Sequence, residues 1–146
     1  METSKTSIKI LLWILSITLI VLTGTIFLQD FIPRYLVFPS IFGGGILLLI
    51  CGIWLIVLTV KRKVQGKLRK FLILAGVCAV GIIVSIILHN LIYALFIYLF
   101  GPNFWAKLGT NDEVIFFILG IVVCPIGLAT GIIGSSVQLS KTPDNV

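Results

Sequence analysis

The stretch Lys61-Arg62-Lys63-Val64-Gln65-Gly66-Lys67-Leu68-Arg69-Lys70 stands between two long apolar runs, Ile41–Val60 and Phe71–Leu99. It carries six of the chain's eleven Lys and Arg residues. A hydrocarbon core about 30 Å thick is crossed by about 20 mainly apolar helical residues, and both flanking runs are long enough. Working outward, Ile8–Leu28 and Val114–Val137 meet the same length, and no Asp or Glu occurs between Asp30 and Asp112. The pattern predicts an all-α integral membrane four-helix bundle, a single membrane domain over residues 1–146 with spans at 8–28, 41–60, 71–99 and 114–137.

Short loops rich in Lys and Arg stay on the cytoplasmic side, so the basic stretch predicts that both termini are cytoplasmic. Lys5, Lys9 and Lys141 then join Lys61, Arg62, Lys63, Lys67, Arg69 and Lys70 inside, leaving Arg34 and Lys107 outside. The six loop cations are topology determinants that also suit contact with anionic lipid. The run after Lys9 exceeds a signal-peptide core and lacks a small-x-small cleavage site, so the first span reads as an uncleaved signal anchor.

With 59% hydrophobic and 11% charged residues, the chain departs far from soluble domains, where about a quarter of residues are charged. Its net charge of +6 is topological, and no nucleic-acid partner is expected. Cys51, Cys78 and Cys124 fall inside spans without a Cys-x-x-Cys spacing and read as reduced, structural thiols. Cys124-Pro125 has neither a second Cys nor a His near it in sequence, so no metal or cofactor is expected.

The segment 29–39, with Pro33, Pro39 and three aromatic residues, is expected at the outer interface, where aromatic rings favour the headgroup region. Pro39 and Ser40 suit the start of span two. Gly43-Gly44-Gly45 lowers helical propensity there or admits a close neighbour. Gly66 suits a tight hairpin between spans two and three. Span three is longer than a bilayer core requires and must tilt, protrude or break. At its outer end Tyr93, Phe96, Tyr98, Phe100, Phe104 and Trp105 predict an aromatic belt, and Gly101-Pro102-Asn103 a helix stop. Thr110-Asn111-Asp112-Glu113 fits a capping box for span four, with Thr110 as N-cap and Glu113 reaching back.

Span four carries Gly120, Cys124, Gly127, Gly131 and Gly134, spaced by four, three, four and three. Helices in lipid associate through such small faces. The partner is either span three, through Ala75, Cys78, Ala79 and Ser85, or a second copy of the chain. Pro125 lacks the N–H that would bond the Ile121 carbonyl, which predicts a kink.

Ser85, His89 and Tyr93 follow an i, i+4, i+8 ladder with Asn90 beside it, a polar stripe near the outer end of an otherwise apolar helix. Polar groups in a membrane are costly unless paired. The stripe either holds helices together or, with Asp112 or Glu113, forms a pH-responsive or cation-binding site. No embedded carboxylate for proton-coupled export and no catalytic constellation is present, so no enzyme is expected.

The sequence reads as a small multi-pass protein of the plasma (cell) membrane, of prokaryotic type, with the lipid bilayer as its surroundings. Its role is structural, accessory or regulatory, with another membrane protein or a homo-oligomer as partner. The alternative is a small oligomeric channel or transporter with the Ser85, His89, Asn90, Tyr93, Asp112 and Glu113 group near its outer mouth.

Overall fold

The computed structural model describes residues 2–110 and 113–141, and among them every regular element is helical. The order is α1 (Glu2–Phe27), α2 (Arg34–Lys61), α3 (Gly66–Phe100), a short α4 (Phe104–Lys107), α5 (Ile115–Ile118), a π-helical turn (Leu119–Val123) and α6 (Cys124–Lys141). The last three form one continuous span, Ile115–Lys141, and with the three long helices give four segments long and apolar enough to cross a membrane. Neighbouring contacts run α1 to α2, α2 to α3, α3 to α6 and α6 back to α1, which sets the order around the bundle. One end collects the basic hairpin and Lys141; the other collects residues 28–35 and the aromatic residues of α3 and α4.

Close backbone approach explains the seams. A methyl group placed on Gly131 would lie 2.6 Å from the Ala75 backbone nitrogen, one on Gly127 2.5 Å from Cys78 Sγ, and one on Gly120 3.1 Å from Ser85 Cβ. Gly134 is covered by the Phe71 ring in the same way. Each advance along α3 matches a return along the last span, so the small-residue strip is an intrachain seam with span three. Helices gain dispersion contacts when glycine lets backbones meet. The α2–α3 seam uses the same device at a pair the sequence reading passed over: a methyl on Gly52 would meet the Gly76 carbonyl at 2.9 Å, and the reverse distance is also 2.9 Å. In the glycine triplet, Gly44 makes room for Leu22 and Gly45 for Ile83, while Gly43 faces open space.

The apolar core occupies the basic half of the bundle. Leu15, Leu48, Leu55, Leu72 and Leu128 are fully buried, with Ile8, Leu11, Leu12, Ala75, Ala79 and Leu139 packed among them. Three threonine hydroxyls inside the spans are returned to their own helices, Thr18 to the Ile14 carbonyl, Thr25 to Val21 and Thr59 to Leu55, which satisfies the donor where lipid offers no partner; the fully buried Ser135 hydroxyl has no such bond.

Several spans run longer than expected: α1 begins at Glu2, α2 at Arg34 and α3 at Gly66, and the last span continues to Lys141. Span two starts earlier, because Pro33 is the N-cap and Pro39 lies inside α2; its ring removes only the bond to the Tyr35 carbonyl, close to the helix end. Helix α3 is unbroken over 35 residues, about 52 Å, and stops at Gly101 with φ of 91°, as the Gly-Pro-Asn signal requires. The expected kink at Pro125 is met by a π-helical turn ending just before it, in which the Cys124 N–H donates to the Leu119 carbonyl. The wider turn adds a residue where the proline ring would otherwise crowd the preceding carbonyls.

At the basic hairpin, the Val64 N–H donates to the Thr59 carbonyl and the Lys63 N–H to that of Val60. This is a Schellman motif, with Lys63 at φ of 50° in the position glycine usually takes. The hairpin glycine, Gly66, comes three residues later as the first residue of α3, at φ of 71°.

Candidate functional site

The polar ladder of α3 faces the chain that returns from its end. Ser85 is buried against Gly120 of the π turn. One turn further, His89 Nδ1 lies 2.9 Å from the backbone carbonyl oxygen of Glu113 and 3.3 Å from its Oε2. One more turn on, the Tyr93 ring stacks on Trp105 with centroids 6.0 Å apart, and Trp105 Nε1 donates to the Tyr93 carbonyl at 3.4 Å. The stripe is therefore a seam for the π turn, the start of span four and α4. Asn90 stands outside it: exposed, it donates to the Ile86 carbonyl of its own helix. Asp112 lies outside the described residues.

Glu113 is the organising group. Its Oε1 accepts from the N–H groups of Ile115 and Phe116 at 2.7 and 3.2 Å, and Oε2 accepts from Phe116 at 3.0 Å. The expected capping box has Glu113 reaching back to Thr110; instead its carboxylate reaches forward and caps a helix that begins at Ile115. Two free N–H groups and the positive end of the helix stabilise a carboxylate that is only 6% exposed. A backbone carbonyl can only accept, so His89 Nδ1 carries a proton and donates to the Glu113 carbonyl and carboxylate. This fixes the imidazole as either the Nδ1–H tautomer or the imidazolium.

Apolar groups enclose the pair. The Phe117 ring centroid is 5.7 Å from that of His89, and Ile86, Phe116, Phe117, Gly120 and Ile121 line with His89 a cavity of about 30 Å³. In such surroundings an ionised pair is weakly screened and each hydrogen bond counts for more. The aromatic belt folds into a cluster, with Phe96 and Phe104 in ring contact with each other and each with Phe100 and Trp105. Tyr98 points away and is 86% exposed.

The remaining sequence candidates lie elsewhere. The helix-packing set Gly120, Cys124, Gly127, Gly131 and Gly134 meets α3, and the Cys124 thiol interacts with both Ser85 and Cys78. The sequence reading found no cysteine pair; packing brings Cys78 and Cys124 together from different spans, and both are free thiols. Lys61, Arg62, Lys63, Lys67, Arg69 and Lys70 gather at the opposite end of the bundle from His89. Among the described residues no group of three or more His, Cys, Asp or Glu side chains is placed to hold a metal ion.

Sequence reasoning missed Phe117 and the thiol contact. The i, i+3, i+4 rule tells which residues share a face of one helix, but only the pairing of spans three and four tells what that face meets. Compared with protein-family models, curated proteins and solved structures, the chain matches none of them.

Proposed function

We propose that this chain is a non-enzymatic, regulatory or accessory component of a prokaryotic plasma membrane, with both termini and the basic hairpin in the cytoplasm and the His89–Glu113 clasp on the outer side. The observation that carries this reading is the direction of the polar stripe. Ser85, His89 and Tyr93 are all spent on the chain's own returning segment, and leucines fill the middle of the bundle. A single copy so packed is suited to holding a conformation or a partner.

The clasp fastens the start of span four to α3 through a charge-assisted hydrogen bond from the imidazole N–H to the Glu113 carboxylate and a second to the Glu113 backbone carbonyl. The groups facing His89 from α5 and the π turn are Phe116, Phe117, Gly120 and Ile121. Glu113 is therefore the titratable group of the described residues in direct contact with it, with Tyr93 one turn away on its own helix.

The alternative, an oligomeric channel or transporter with this site at its mouth, draws on the cavity beside His89, which at about 30 Å³ is of the scale of a water molecule. The deciding experiment is purification in mild detergent followed by native mass spectrometry and flux assays in proteoliposomes. A stoichiometric membrane partner is the expected result. A homo-oligomer that conducts ions or solutes, and loses conduction in a His89→Gln variant, would replace the proposal with the alternative.

A further inference from the structure

The first three turns of α3 present a stripe that the bundle covers only in part. Gly66, Arg69, Lys70, Ile73, Leu74 and Val77 line an open surface hollow of about 780 Å³, with Leu74 also reaching 3.8 Å from a methyl placed on Gly127 of α6. Their spacing of three, one, three, one and three places them along one side of the helix. The rest of the helix is committed: Phe71, Ala75 and Cys78 meet α6, while Gly76 and Ala79 meet α2. Val77 is left 53% exposed.

The stripe is amphiphilic along its length. Lys70 and Val77 lie seven residues apart, about 10 Å along the axis, so two cations stand one to two turns beyond a purely aliphatic wall. At position 66 a side chain would meet nothing within 4 Å, which leaves open space beside the charges. The ion pair found among the described residues is that of His89 with Glu113, at the other end of the molecule. Arg69 and Lys70 accordingly carry their charge outward, unneutralised by a described carboxylate.

We infer that this groove binds one anionic phospholipid, its phosphate held by Arg69 and Lys70 over the gap at Gly66, and one acyl chain laid along Ile73, Leu74 and Val77. Charge complementarity selects the headgroup. The apolar wall selects a lipid over a soluble phosphate. Arginine presents a planar fork that matches two phosphate oxygens, and lysine adds a point charge beside it. A cation near an anionic membrane surface gains about 1 kcal/mol, so two give roughly a tenfold or greater preference over a zwitterionic lipid. The inference rests on the membrane reading of α3 and is independent of the clasp at His89.

The test is native mass spectrometry of the detergent-purified full chain, titrated with phosphatidylglycerol or with phosphatidylcholine of the same acyl chains. The expected result is one tightly retained phosphatidylglycerol, with retention falling about tenfold in an Arg69→Gln/Lys70→Gln variant and nearly unchanged in a Lys61→Gln/Arg62→Gln variant that removes the same charge nearby. Val77→Asn, which places an amide on the acyl wall, weakens retention with both cations intact. Glycerol phosphate without acyl chains fails to compete. Equal losses in both charge variants would overturn the site in favour of diffuse attraction, and competition by glycerol phosphate would overturn the lipid assignment. Circular dichroism of each variant checks that the helices remain.

Discussion

The two halves of the bundle are built on different physics. In the basic half, leucines fill the interior and glycines bring α3 within contact of α2 and α6, with Ala75 against Gly131 and Gly52 against Gly76. In the aromatic half the buried groups are Thr25, Ser85 and Glu113, joined by a half-buried His89, and the returning chain is held by a carboxylate cap, an imidazole and stacked rings. Packing of the first kind has little tolerance for added volume. Contacts of the second kind depend on individual hydrogen bonds and their geometry.

The contrast breaks most readily at Gly131. Replacing it with Leu drives a side chain into the Ala75 backbone, which cannot yield as a flexible side chain would. The expected loss is about 4 kcal/mol or more, in the range of severe overpacking and core disruption, read as loss of a monodisperse detergent-solubilised species. Gly43→Ala is the control, since open space surrounds that position; it stabilises α2 by about 0.5–1 kcal/mol.

Next in size is Glu113→Ala, which removes the cap and the carboxylate beside His89 but keeps the backbone carbonyl that accepts from it. A lost cap costs about 1 kcal/mol and the lost carboxylate contact about 1 kcal/mol more, giving a drop of about 2 kcal/mol in resistance to unfolding by a denaturing detergent. Glu113→Gln keeps an acceptor oxygen for the Ile115 and Phe116 N–H groups and loses less.

The comparison is sharpened at the histidine itself. His89→Ala removes the donor to the Glu113 carbonyl and is expected to lower resistance in the same unfolding measurement by about 1 kcal/mol; an unchanged midpoint would remove the clasp from the explanation. A similarly small effect lies in the basic hairpin: Lys63→Gly relieves a left-handed backbone conformation and stabilises by about 1 kcal/mol.

Much of this arrangement is legible in the residues. Four apolar runs and one basic hairpin specify the helices, and the four-three-four-three spacing of small residues specifies a packing face whose partner is span three or a second copy. The ladder Ser85, His89, Tyr93 specifies one face, with Asp112 or Glu113 as the carboxylate that could meet His89. What the residues leave open are the choices that depend on register. A Glu ahead of an apolar run caps equally well by reaching back or forward, and which it does depends on where the first turn closes. Pro39 fits either just before a helix or within its first turns. The Gly52–Gly76 crossing and the Cys78–Cys124 contact each join residues from separate spans whose individual neighbourhoods look ordinary. A proline in a span asks for relief at the preceding turn without saying whether a bend or an extra residue supplies it.

The extra residue in the turn Leu119–Val123 has a mechanical consequence. An α-helix advances about 100° per residue, so one extra residue offsets the segment before it from the segment after it by about that angle about the helix axis. Phe116, Phe117 and the Glu113 cap lie before the offset, and Gly127, Gly131 and Gly134 after it. The turn thus sets the rotational phase in which the start of the span meets His89 while the glycines below still face α3.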